Sequence, residues 1–422
     1  MSAAVKPGYK QTEAGLIPED WEIKSGLDIT SLISKGSSPK WQGFAYTNDG
    51  MLFVTSENVR NGYLDISQPK YLPLEFHEKL SRTKLLKNDI LVNLVGASIG
   101  RSCQIRQKIG EANINQAVAL LRFKDPSIAS YIGYFLQEPA TVQRILDMQA
   151  DAARPNISLG NLRQFIVPIP PRSEQHAIAT ALSEMDALIS SLDQLIAKMR
   201  DIQQAAMQQL LTGQRRLPGF SGEWSPIKMS KHSSLKARIG WQALTTAEYL
   251  DEGSYYLVTG TDFIDGRVSW SFCHFVDQWR YDQDRNIQLR DGDVLLTKDG
   301  TIGKVGYIDE LREPATLNSG IFVIRPLQDA FAPLFLFYIL KSKVFDEFLS
   351  KITAGSTIIH LYQKDFVTFE FLAPSLKEQT AIATILADMD TELATLEARR
   401  DKARQIKQGM MQELLTGRIR LI

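Results

Sequence analysis

The chain has 422 residues, too many for one ordinary hydrophobic core, so two or more domains are expected. Hydrophobic residues make up 44% and charged residues 23%, which is globular composition and excludes a disordered chain. The 48 basic residues balance 48 acidic ones, and zero net charge argues against gripping nucleic acid by bulk charge alone.

The opening MSAAVKPGYKQTE has no apolar core of the signal-peptide kind. A first block of about 150 residues then reads as mixed α/β. Its loop SKGSSPKWQG, from Ser34 to Gly43, gathers Gly, Ser, Lys and Trp. Strands are expected over Met51 to Thr55, Ile90 to Leu94 and Ala117 to Phe123, each rich in branched or aromatic residues. A helical stretch follows from Ile128 to Met148. After the Pro170-Pro171 break, positions Ile178, Met185, Leu192, Met199 and Ala206 recur every seven residues. A second column three residues later holds Ala181, Leu188, Leu195, Ile202 and Gln209. Such a heptad pattern predicts one coiled-coil helix of some 39 residues, a rod of roughly 58 Å at 1.5 Å per residue. Gly213 closes it.

The second half repeats this plan. Its loop KARIGWQA spans Lys236 to Ala243, and a helical stretch is expected from Pro333 to Lys351. The final segment keeps Ile382, Ile385, Met389, Leu393, Leu396, Ala403, Ile406, Met410 and Leu414, with the seam interrupted at Arg399 and Arg400. The two long helices are expected to pair with each other, antiparallel. The longest apolar stretches, such as Phe331 to Leu340, fall short of the roughly 20 residues of a membrane span, so the cytoplasm is the expected location. Cys103 and Cys273 lie in different halves without Cys or His neighbours at ligand spacing, so neither a disulfide framework nor a metal site is expected.

The chain is thus a tandem repeat with a shift of 204 residues. Ser173 to Leu217 aligns without a gap onto Lys377 to Leu421, with 22 of 45 positions identical. Upstream the likeness is weaker: VTSENVRNGYLD at Val54 matches VTGTDFIDGRVS at Val258, and NDILVNLVGASIGR at Asn88 matches GDVLLTKDGTIGKV at Gly292. The fold class expected is α+β: two mixed α/β domains separated by two long antiparallel coiled-coil helices, in a pseudo-twofold repeat. The boundaries expected are 1–20 for an N-terminal segment, 21–171 and 216–373 for the domains, and 172–215 and 374–422 for the helices.

Catalytic signatures are missing. The sole Pro-Pro pair lies in a domain-to-helix joint, not in the Asn/Asp-Pro-Pro-aromatic turn of an adenine methyltransferase. GASIG at Gly96 and GTIGKVG at Gly300 do not give GxGxxG. Gly303-Lys304 lacks the earlier Gly and following Ser/Thr of a phosphate-binding loop. No GxSxG or HExxH occurs. Asp291, Asp293 and Lys298 are what a nuclease reading would draw on, yet Asp-Gly-Asp ahead of a strand reads as a turn.

The start GYKQTEAGLIPEDWEI, the joint PPRSEQHAIA with its second copy PSLKEQTAIA, and the helix end LLTGxxRL resemble specificity subunits of type I restriction-modification systems. The resemblance spans essentially the whole chain, and its strength lies in the order domain, helix, domain, helix. It implies a non-catalytic DNA-binding subunit in which each domain reads half of a bipartite, asymmetric site and the helices set the unread spacer. It further implies docking of two methyltransferase subunits carrying S-adenosylmethionine, and of restriction/translocase subunits using ATP and Mg. No cofactor is expected on this chain. The segment Gly8 to Ile23 is expected to fold back beside the end of the second helix. The competing reading is a coiled-coil scaffold that joins two proteins without reading DNA.

Base contacts are not carried over by the resemblance, so candidates rest on chemistry: loops mixing cations with amides and aromatics. In the first domain these are Lys35, Ser37, Lys40, Trp41, Gln42, Arg60, Ser98, Arg101 and Arg154. In the second they are Lys236, Arg238, Trp241, Gln242, Arg267, Lys298, Thr301 and Lys304. Glu174, Gln175, Glu378 and Gln379 are candidates for partner docking or, alternatively, helix caps. Asn113, Asn115 and Gln116 are turn residues or polar contacts.

Overall fold

The structure is a computed structural model and describes residues 7–149, 155–240, 244–353 and 360–421. The chain forms two compact units, Met1–Asp193 with Ala398–Ile422, and Gln194–Glu397. Each long helix therefore contributes one half to each unit.

In the first unit an antiparallel sheet runs in the order Thr30–Lys35, Val118–Phe123, Ile90–Asn93, Ser102–Gln104. The central strands are apolar on both faces because both are covered: Ile90, Val92 and Ala119 face one core cluster, Leu91, Val118 and Leu120 another. A smaller sheet places Met51–Val54 between Tyr71–Leu72 and Ala112–Ile114. Glu22–Ser25 pairs with Ile166–Ile169 and brings the chain to the helix joint.

The second unit repeats this plan. Ser233–Lys236, Ile321–Pro326, Val294–Thr297 and Val305–Tyr307 take the same order, and Arg267–Val268 and Phe263–Ile264 extend the sheet to six strands. Tyr256–Val258 lies between His274–Phe275 and Ala315–Leu317, and Ser225–Lys228 pairs with Glu370–Ala373. The α+β repeat expected from the sequence is the observed architecture.

The expected single helical stretches are each two helices. Ala129–Phe135 stops where Glu138 caps a new helix beginning at Pro139, whose ring cannot continue the preceding turn. In the second unit the break falls between Pro333–Leu340 and Lys343–Thr353, where Ser342 donates its hydroxyl to the Ile339 carbonyl at 2.7 Å.

The long helices are Arg172–Leu210 and Leu376–Leu414, 39 residues each. Their halves run antiparallel within each unit. In the first, Asp186 meets Lys407 at 2.6 Å and Asp193 meets Arg404 at 3.1 Å. In the second, Arg200 pairs with Glu397, and Gln203 donates to Asp390 at 2.7 Å. The heptad holds, but the second column is corrected. Leu182, Ile196 and Leu210 are buried with Ile178 and Leu192, so the seam steps by four and then three residues. Leu188, Leu195 and Ile202, expected inside, are 42–44% exposed, and Ile406 likewise faces outward at 45%. Periodicity alone left the choice between columns open, because both are apolar at seven-residue spacing.

Both helices close on a left-handed glycine, Gly213 at φ 72° and Gly417 at φ 70°. A Cβ on Gly417 would lie 2.5 Å from Pro18, and one on Gly213 would lie 3.2 Å from Trp224. Close approach and positive φ therefore both demand glycine here.

Candidate nucleic-acid interface

Each domain presents its polar loops at one end of its main sheet. In the first unit Lys35 lies opposite Ala119 and Asn93 opposite Val118, so two strands finish beside the start of the third. Gly36 continues by donating its amide to the Asn115 carbonyl at 3.1 Å. A Cβ there would fall 1.8 Å from the Ile114 carbonyl oxygen, so the loop 36–43 is pressed onto its neighbour strand. On that loop Pro39–Gln42 forms a short helix, Gln42 donates to Ser37 at 2.9 Å, Lys40 is exposed, and Trp41 is 79% exposed. A tryptophan held in water by an ordered turn is available to stack on a base or sugar.

The adjacent loop 94–101 is clasped from below. Asn93 donates its side-chain amide to the Ser98 hydroxyl at 3.1 Å and to the Ser56 carbonyl at 2.9 Å. Its equivalent Thr297 donates to the Thr301 carbonyl at 2.5 Å and accepts from the Lys304 amide at 2.9 Å. A turn packs beside each clasped loop: Asn58 accepts the Thr55 amide at 2.8 Å, and Asp262 accepts the Thr259 amide at 2.7 Å. Sequence reasoning passed over these clasping residues, although the 204-residue shift relates them.

The other candidates divide by environment. Arg60 is exposed but held by Asp65 at 3.3 Å. Arg267 reaches Asp309 at 3.0 Å and lies over the rings of Tyr307 and Phe337. Lys298 is mostly covered, beside Asp299 and over Phe322. Thr301 is exposed at the loop tip. Lys35, Arg101, Lys236 and Lys304 are all exposed. Arg154, Trp241 and Gln242 lie outside the described residues.

Arg238 is in the core. It is 2% exposed and donates to the Leu317 carbonyl at 2.8 Å and the Thr316 hydroxyl at 3.2 Å. Burial pushes its pKa down, with Arg280 adding repulsion. Its guanidinium joins strands of the second unit and does not face a duplex.

The proposed docking joints are likewise inside. Glu174 and Glu378 have no solvent exposure. Glu174 accepts from Arg420 at 2.7 Å and from the Trp21 indole at 3.0 Å, and Arg216 forks onto Glu378 at 2.6 Å. Gln175 donates to the Pro170 carbonyl at 2.8 Å and Gln379 to that of Pro374 at 2.9 Å. The four side chains thus tie helix starts to their own unit; Glu174, Glu378 and Gln379 are buried, while Gln175 is partly exposed. Asp291 and Asp293, which a nuclease reading would use, also have structural partners. Asp293 forks with Arg325 at 2.6 Å and Asp291 accepts the Leu311 amide at 2.7 Å. Asn115 accepts the Ala117 amide at 3.0 Å, which makes it a turn residue.

Exposed aromatics extend the loop surfaces beyond the residues singled out in sequence. Tyr46 and Tyr63 belong to the first domain, and Phe272, Trp279 and Tyr362 to the second. Trp279 has Arg280 over its ring at 4.4 Å, while Arg280 is fixed by Glu248 at 2.7 Å. Asp277, Asp282 and Asp284 flank Trp279 in sequence, and it is not among the residues singled out there.

The family model described as "Type I restriction modification DNA specificity domain" matches residues 18–200 and again 243–406. The chain belongs to this family. Two specificity-domain matches in one chain correspond to the two repeats. A putative type I restriction enzyme MjaX specificity subunit from Methanocaldococcus jannaschii is 24% identical, over 98% of this chain and 97% of that protein. The EcoKI specificity subunit of Escherichia coli is 21% identical, over 96% and 90%. A type I restriction-modification S subunit from M. genitalium shares the fold, with TM-score 0.60, 17% identity, and coverage of 97% of this chain and 98% of that one.

Proposed function

We propose that this chain is the DNA-reading subunit of a type I restriction-modification complex, each domain reading one half of a bipartite site. The observation that carries this reading is the double match to a DNA specificity domain on two units that repeat one strand order. The clasped loops hold cations and hydroxyls in fixed positions, and the ordered turn Pro39–Gln42 adds an aromatic and an amide in the first domain, which is what base and backbone recognition needs. The variable loops differ between the domains, so the halves of the site differ. The helices supply the unread spacer.

Methylation and cleavage belong to partners in this reading. Two methyltransferase subunits carry S-adenosylmethionine and take the target base out of the stack. Restriction/translocase subunits carry ATP and Mg. Docking falls to exposed helix faces, where Leu188, Leu195 and Ile202 leave apolar side chains in water. No helix among the described residues is long and apolar enough to cross a membrane.

The test is selection of bound duplexes from a random pool by the chain with its methyltransferase partner. A single split motif with a fixed gap is the expected recovery. Retention of all sequences alike would instead fit a scaffold that touches no bases.

A further inference from the structure

The two domains share few side chains at their loops, yet one arrangement recurs. The strands Thr30–Lys35 and Ser233–Lys236 end in lysine, with Lys35 opposite Ala119 and Lys236 opposite Val323. Two strands away, at the same sheet end, the clasped loops each end in a second cation. The Asn93 amide donates to the Arg101 carbonyl at 2.9 Å, and the Thr297 amide donates to the Lys304 carbonyl at 2.9 Å. The preceding glycines, Gly100 at φ 80° and Gly303 at φ 83°, return their amides to the Asn93 and Thr297 carbonyls at 3.1 Å. Backbone bonds on both sides therefore fix where each cation starts. All four side chains are exposed, and none has an ion-pair partner among the described residues.

We propose that Lys35 with Arg101, and Lys236 with Lys304, are phosphate grips, one pair per half-site, that register each domain on the duplex without reading bases. This rests on the DNA-reading function proposed above.

Three observations carry it. Half-sites differ in bases but share a sugar-phosphate backbone, so residues common to both domains fit the common feature. The second position is arginine in one domain and lysine in the other. A phosphate accepts either charge, so the exchange preserves the contact. Three candidate cations that do not recur are engaged within the fold: Arg60 by Asp65, Arg267 by Asp309, and Arg238 by the core.

The experiment measures the salt dependence of binding by the full chain with its methyltransferase partner, on the selected duplex and on a random-sequence duplex. Each of Lys35→Ala, Arg101→Ala, Lys236→Ala and Lys304→Ala is expected to reduce the slope of log K against log salt by about 0.9 on both duplexes. The recovered motif should not change, and Arg101→Lys should keep the full slope. An unchanged slope overturns the proposal. So does a loss confined to the selected duplex, or an altered motif with Arg101→Lys, since either marks a base reader. A wild-type complex that selects no motif defeats the DNA-reading function, while the slopes on random duplex still decide whether the grips exist.

Discussion

Glu174 shows how much one buried carboxylate organises. It takes two bonds from Arg420, at 2.7 and 2.8 Å, and one from Trp21. Arg420 also holds Asp20 at 2.7 Å, and its hydrogen bonds, with its charge adding to them, keep the Asp20 carboxyl below the usual range. Tyr9 adds a bond to the Gly417 carbonyl at 2.9 Å, so the start and end of the chain are fastened in one unit. Glu174→Gln leaves Arg420 short of its main counter-charge and should lower stability by about 3 kcal/mol, read as a lower urea midpoint. Arg238→Ala should likewise destabilise, by about 1–3 kcal/mol, because it strands a buried carbonyl and hydroxyl. Its salt slope on DNA should match wild type.

The thiols give a pH prediction. Burial pushes Cys103 up to about 12 from an ordinary 9.0 and raises Cys273 as well. Both stay protonated in the folded chain while the unfolded chain ionises near 9. This contribution to stability is therefore complete below pH 9 and declines as pH rises from there towards about 12. Alkylation at pH 8 should be slow in the native protein and fast in denaturant; rapid native labelling would contradict the burial.

Among the elements, the long helices decide most. Their seam is a heptad whose alternate steps are four and three, and it carries charged layers. Lys407 occupies the seam position that Gln203 holds one repeat earlier, and each meets an aspartate: Asp186 at 2.6 Å and Asp390 at 2.7 Å. Tyr134 and Tyr338 donate to the same two aspartates, at 2.8 and 2.6 Å, and bind each domain to its helix. Burial raises the pKa of both phenols, so they remain donors across the working pH range. The corrected column is open to a direct comparison. Leu182→Ala removes a fully buried side chain and should cost about 2–5 kcal/mol. Leu188→Ala removes an exposed one and should change the unfolding free energy by under about 0.5 kcal/mol in urea titration. Equal costs would restore the column read from the sequence.

For the whole molecule, the repeat is the design: each helix serves both units, and each unit carries one copy of the strand order. Inserting seven residues into both helices at matched positions preserves the seam and lengthens each by about 10 Å, close to three base pairs. Methylation mapping with such a variant should report the same two half-sites across a wider gap. An unchanged gap would remove the helices from the spacer role.

The duplication, its 204-residue period, the alternation of domain and helix, and three strand segments of the first domain are legible in the sequence, because each is written in local or periodic patterns. The strands Met51–Val54, Ile90–Asn93 and Val118–Phe123 fall within a residue of where branched and aromatic runs put them. Contacts between distant residues were not legible. Only the tertiary structure places Glu174 against Arg420, draws Arg238 into the core, and sets Lys35 at the same sheet end as Arg101. The physical reason is that apolar burial is non-directional and recurs with the backbone period, so it leaves a trace in every window of sequence. A charge's role depends on which partner the fold brings within a few ångströms, and that choice is made by pairings many residues apart.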